Sequence, residues 1–254
     1  MLALEFPPVS HLIDWPDIWL KDSAFGINKV VILMWASAAI VIAFFVVAAR
    51  AKALVPKGVQ NAAESVVDFI KNDIVLSNIG PEGLAFTPFL TALFMFIFVC
   101  NLWGIIPFLQ MPVNARMALP ALLAILIWAL YNIVGIVKQG FLGYFKGIMF
   151  PPGVPKALYI LVTPIELVST IIVRPLSLAV RLFANLLAGH LVLVTFAIIT
   201  ASLFDSSALP VILPFSFGLL IALTGFEVLV AVLQAFIFTI LAAVFIGGAM
   251  HPEH

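Results

Sequence analysis

Residues 158–203 read LYILVTPIELVSTIIVRPLSLAVRLFANLLAGHLVLVTFAIITASL. The run is about twice the roughly 20 residues that a helix needs to cross a bilayer. It nevertheless contains Glu166, Arg174, Arg181 and His190. An ionisable group inside a span costs about 2.5–3.5 kcal/mol on insertion scales, so each one points to function by default. No good hairpin turn divides the run. It therefore predicts one long helix that tilts or bends to fit a hydrocarbon core about 30 Å thick. Residues 209–250 repeat the pattern, with Glu227 and Gln234 inside a second long apolar run.

Working outward, three shorter apolar runs predict spans at 30–49, 86–109 and 117–137. Asn101, Gly104 and Pro107 sit in the distal half of the second. Between the first two spans, Val59, Ala63, Val66, Ile70 and Ile74 recur at helical spacing, while Glu64, Asp68 and Lys71 fall elsewhere on the wheel. Residues 57–79 thus predict an amphipathic helix lying on the membrane surface or against a partner. The segment 138–156 is rich in Gly and Pro and reads as irregular. The expected fold is an all-α membrane protein of five transmembrane helices and one interfacial helix. A single membrane domain covers residues 1–254, with an outer N-terminal segment at 1–25.

Composition agrees. The chain is 64% hydrophobic and 9% charged, against roughly 45–50% and about 25% for soluble domains. Lys+Arg and Asp+Glu are both 12, which leaves no basic excess for nucleic acid. A single Cys, Cys100, excludes an internal disulfide and makes a Cys/His metal cluster unexpected. No cofactor is expected, and no GxxxxGK[ST] phosphate loop is present. The opening residues MLALEFPPVS lack a basic start and an early apolar run, so no cleavable signal peptide is expected.

Lys and Arg set the orientation. Arg50, Lys52, Lys57 and Lys71 follow the first span, and Lys138, Lys146 and Lys156 follow the third. The opposite side has Lys21, Lys29 and Arg116, together with Asp14, Asp17, Asp22 and Asp205. The N-terminus is expected outside and the C-terminus in the cytoplasm.

Within the fourth span, Arg174, Ser177, Arg181, Asn185 and Ala188 follow steps of three or four and form one stripe. The small Ala184 and Ala188 allow another helix to approach closely. On the fifth span, Thr224, Glu227, Ala231 and Gln234 share a face. The two spans run antiparallel. From Arg181 to His190 the helix climbs about 13.5 Å, and from Gln234 back to Glu227 about 10.5 Å. If Gln234 lies level with Arg181, His190 and Glu227 fall within a turn of each other. A histidine and a partly buried carboxylate suit proton passage. An arginine, which does not deprotonate, suits a fixed barrier. No acid of this chain lies level with Arg181, which points to a partner carboxylate on another subunit.

Blander readings stand beside these. Arg174 can snorkel to the inner interface, and Glu166 can be interfacial. His190 and Glu227 can be a packing pair. Asn101 can be interhelical glue. His251 and His254 sit in a polar tail and have no expected role.

The run PLSLAVRLFANLLAGHL at 175–191 closely resembles the signature of subunit a of F-type ATP synthases. LQAFIFTIL at 233–241, NLWGIIP at 101–107 and VPKGVQN at 55–61 resemble further signatures of that family. The resemblance runs from about the first span to the C-terminus and looks bacterial. It implies a non-catalytic membrane stator beside a rotating c-ring, with b-type peripheral-stalk subunits as partners and H⁺ as the translocated ion, in the plasma membrane. Arg181 matches the arginine facing the ring carboxylates, and Gln234 the glutamine beside it. Ser177 and Asn185 match positions of the cytoplasmic half-channel. Asn101, His190 and Glu227 match positions of the outer half-channel. Some relatives carry the acid on the fourth span and the histidine on the fifth; here the two are exchanged. Gly104 stands where some relatives have an acid. The stretch from Glu166 to Arg174 is one residue longer than in many relatives, which allows a local bulge. The alternative is a self-contained ion-coupled transporter. That would need a midplane substrate site and usually internal repeats, neither of which the sequence shows.

Overall fold

The computed structural model describes residues 19, 27–50, 55–106, 113–150, 155, 158–205 and 213–250. Most of the predicted outer N-terminal segment lies outside the described residues, as do the end of the second predicted span, the loop 206–212 and the C-terminal tail. So do Lys52 and Lys156, two of the residues used for orientation.

Among the described residues, five helices are long and apolar enough to cross a membrane. The first, α1 (Lys29–Arg50), starts where Asn28 Oδ1 accepts the Val31 N–H at 3.1 Å. That bond satisfies a donor which the first turn would otherwise leave bare. The amphipathic helix α2 begins as Val59–Phe69, passes through a π-helical turn at Ile70–Val75 and ends at Leu76–Asn78. Its apolar residues Ala63, Ile70 and Ile74 are buried. The second apolar segment is a 3₁₀ turn, Pro81–Phe86, leading into α3 (Thr87–Leu102). The third span is α4 (Ala118–Gln139).

The segment after α4 corrects the sequence reading. It is not irregular throughout, because Phe141–Met149 forms a helix, α5. Gly140, at φ 75°, turns the chain where a side chain would be strained. The Tyr144 ring then packs against Gly135, where a Cβ would collide with it, and its hydroxyl donates to Asn132 Oδ1 at 3.0 Å. Phe141, Tyr144, Phe145 and Ile148 follow steps of three and four, a helical pattern obscured by the surrounding glycines. Burial pushes the Tyr144 phenol above its ordinary range, against a smaller opposing pull from Arg174.

The two long runs are each continuous. Tyr159–Leu203 crosses as one body made of α6 (Tyr159–Val168), a π-helical turn at Ser169–Val173 and the start of α7 (Arg174–Asp205). The last helix, α8, is Leu213–Met250. At about 1.5 Å per residue either exceeds the bilayer core, so both must tilt or bend. α8 packs against α3, α4 and α7, and its C-terminal end meets α2. Gly247 permits that last contact, since a Cβ there would strike the Asn78 carbonyl. The shared core includes Leu90, Ile97, Ile127, Leu182, Phe238 and Ile246.

Candidate functional site

The α7 stripe is two-sided. Leu178, Ala179, Leu182 and Leu186 are buried. Ser177, Arg181, Ala184, Asn185 and Ala188 are exposed. Arg181 therefore projects away from its own chain, and among the described residues it forms no ion pair. Exposure of an arginine at this depth, without a counter-charge, is costly for a lone subunit.

The antiparallel register of α7 and α8 is fixed by named contacts. Asn185 Nδ2 donates to Gln234 Oε1 at 3.0 Å. Nearer the loop, the Thr200 and Ser216 hydroxyls share a buried 2.8 Å hydrogen bond. Gln234 thus bonds to Asn185, one turn beyond Arg181 along α7. Ser177 and Asn185, expected together, lie on opposite sides of Arg181 along the helix.

Further along α7, His190 and Glu227 are 5% and 8% exposed. The Glu227 carboxylate lies against Gly189, where a Cβ would collide with both of its oxygens. The missing side chain at Gly189 therefore seats the acid one residue from His190. Among the described residues, no hydrogen bond or ion pair joins His190 to Glu227. Gly189→Ala is expected to displace the carboxylate and slow proton-driven turnover several-fold, with helix content unchanged by circular dichroism. Wild-type turnover in that variant would show that the seat is unimportant.

Asn101, near the end of α3, is buried and doubly engaged. It donates to the Ala231 carbonyl at 3.3 Å and accepts from Asn114 Nδ2 at 2.7 Å. Ala231 lies between Glu227 and Gln234 on the inner face of α8. Two polar groups therefore meet the same face of α8, Asn114 with Asn101 at Ala231 and Asn185 at Gln234, three residues on. Asn114 and Gly189 were missed by sequence reasoning. Asn114 sits in a short polar stretch between spans that has no helical period to place it. Gly189 carries no chemistry of its own.

At the N-terminal end of the stripe, Arg174 lies 3.8 Å from Glu166 and 5.5 Å from the centroid of the Phe245 ring. Phe245 also packs on Tyr131, with ring centroids 5.7 Å apart. Arg174 is thus held by a carboxylate and an aromatic face. No group of three or more metal-ligating side chains occurs among the described residues.

The family model described as ATP synthase A chain matches residues 31–247. The chain belongs to the ATP synthase subunit a family. It is 41% identical to ATP synthase subunit a of Parafrankia sp. (strain EAN1pec), over 96% of this chain and 83% of the relative. The counterpart of Rhodococcus erythropolis is also 41% identical, over 94% and 88% of the two chains. That of Hyphomonas neptunium is 37% identical, over 100% and 99%. Membership in this family and five long apolar helices make the chain a multi-pass membrane component of an ATP synthase.

Proposed function

We propose that this chain is the proton-conducting stator of a bacterial ATP synthase, with the N-terminus outside and the C-terminus in the cytoplasm of the plasma membrane. Arg181 carries the reading, because it is exposed at depth on a stripe of small and polar residues with no counter-charge among the described residues. A ring of c subunits supplies the missing carboxylates, one at a time. The peripheral-stalk b-type subunits hold the chain still against the ring.

On this reading a proton enters from outside past Asn101 and Asn114 and is passed by Glu227 and His190 to a ring carboxylate. Once neutral, that carboxyl can face lipid at low cost, whereas the ionised form cannot. The site returns after nearly a full turn to the cytoplasmic side near Ser177. There the field of Arg181 favours the ionised carboxylate and the proton is released inward. Arg181 holds its own proton and so blocks direct passage between the two half-channels. Asn185 and Gln234 brace the layer beside it. Among the described residues, the buried Gln234 Nε2 and Asn114 Oδ1 have no hydrogen-bond partner. Buried polar atoms are normally paired, and unpaired ones on these two residues suit a path that carries water better than a dry core. The driving force is about 2.3 kcal/mol per charge per 100 mV plus the pH gradient.

Single cysteines test the stator face. In membranes containing the whole complex, cysteines at Ser177, Ala184 and Ala188 should cross-link to engineered cysteines on the c subunits. A cysteine at the buried Leu178 should not. Cross-linking from Leu178 but not from the stripe would place the ring on another face and overturn the reading.

A further inference from the structure

The long fourth span carries a phase problem that the structure solves locally. Glu166 and Arg174 are eight residues apart. In an uninterrupted α-helix eight steps of about 100° leave two residues about 80° out of line. If one residue is absorbed by a wider turn, seven effective steps leave them about 20° apart. The π-helical turn at Ser169–Val173 absorbs that residue, and Glu166 and Arg174 meet at 3.8 Å.

A wider turn must also find partners for its carbonyls. The Arg174 N–H reaches back five residues to the Ser169 carbonyl. The next carbonyl, that of Thr170, would take its donor from residue 175 in the same pattern. Residue 175 is proline, which has no N–H. The Thr170 carbonyl is therefore orphaned inside the membrane, where an unsatisfied backbone group is expensive. Tyr131, from α4, supplies the donor. Its hydroxyl lies 2.7 Å from the Thr170 oxygen, and both residues are buried, at 1% and 2% exposure.

We infer that Tyr131 is a positioning residue for the proton path: by satisfying the Thr170 carbonyl that Pro175 leaves without a donor, it holds the π-turn that keeps Glu166 in phase with Arg174 and the Arg181 stripe. It touches neither the ring nor the proton. It acts through the pitch of the helix that carries the stripe, and the Phe245 ring, in contact with both Tyr131 and Arg174, couples the two ends of that arrangement. The inference rests on the proton-path reading for its activity readout.

The test uses the whole complex in vesicles, with proton-driven ATP synthesis and ATP-driven proton pumping as readouts and co-purified subunits as the assembly check. Tyr131→Phe removes the donor and keeps the ring. It should slow both activities several-fold in a fully assembled complex. Pro175→Ala restores a backbone N–H, which can take the place of the phenol. Pro175→Ala alone should be near wild type, and Tyr131→Phe/Pro175→Ala should recover most of the lost activity. A tyrosine that merely filled space would not be rescued by a peptide N–H on another helix. A Tyr131→Phe complex with wild-type rates, or a double variant no better than Tyr131→Phe, would overturn the inference. Arg181→Ala measured in parallel separates the two claims. Wild-type coupling in Arg181→Ala sinks the barrier reading, whereas the tyrosine test is read relative to the parent complex in either case.

Discussion

Arg181→Ala is expected to abolish proton-driven ATP synthesis in vesicles reconstituted with the complete complex. The reason is the environment of the ring carboxylate as it passes the stator. With Arg181 in place an ionised carboxylate at mid-depth faces a fixed cation. Without it the same carboxylate must stay protonated or bear the cost of charge in a low-dielectric site. At about 2.5–3.5 kcal/mol for such a charge, turnover should fall by about two orders of magnitude, since each 1.36 kcal/mol is tenfold in rate. Protons that still enter are no longer stopped between half-channels, so passive leak should rise as synthesis disappears. Arg181→Lys should fail as well. Lysine is a compact charge that loses its proton readily when buried, and it lacks the planar fork that can hold a carboxylate in two places. The measurements are the synthesis rate under an imposed gradient and proton leak with the catalytic part removed. Coupled synthesis at wild-type rate in Arg181→Ala would remove Arg181 from the barrier.

Much of this site was legible in the sequence because membrane insertion makes charge expensive. A stripe such as Arg174, Ser177, Arg181 and Asn185 survives in an apolar helix only with a use, and helical spacing alone puts it on one face. The inability of this chain to neutralise Arg181 was also legible, since no acid occurs at its level. What could not be read was the offset between neighbouring helices. Period gives the face of a helix but not its slide along a partner. The hydrogen bond between Asn185 and Gln234 is seen only in the structure. Helix α5 was hidden for another reason, because glycines that signal loops also let Tyr144 pack closely on Gly135. The role of Tyr131 depended on a bond to a carbonyl 39 residues away, which no local pattern announces. The eight-residue spacing from Glu166 to Arg174 did allow a bulge, yet only the structure shows which carbonyl it leaves bare.

Glu227→Gln is expected to slow proton entry without disturbing the stator face. Glutamine keeps the shape of the side chain and its seat against Gly189, but it cannot take up and release a proton at physiological pH. Ring association should stay intact, and proton-driven synthesis should drop by about two orders of magnitude, the lower end of the range typical for loss of an acid–base group. The histidine supplies the sharper test. Imidazole can take up and release a proton, so His190→Ala should flatten the dependence of synthesis on outer pH and lower its rate. If Glu227 and His190 work in series on one path, the double variant should be little worse than the poorer single one. Groups that act as a unit are not additive in this way. Two independent packing residues would instead show additive losses, mainly in assembly or thermal stability, with an unchanged pH profile. The structure already bears on that choice. Both side chains are buried, yet among the described residues neither hydrogen-bonds to the other. A buried polar pair kept for stability alone would be expected to close that bond, because an unsatisfied group carries a desolvation penalty. A pair kept for transfer must instead leave room for a proton carrier between its members. Additive losses with a wild-type pH profile would return both residues to the core of the helix pair and leave proton entry to Asn114 and Asn101.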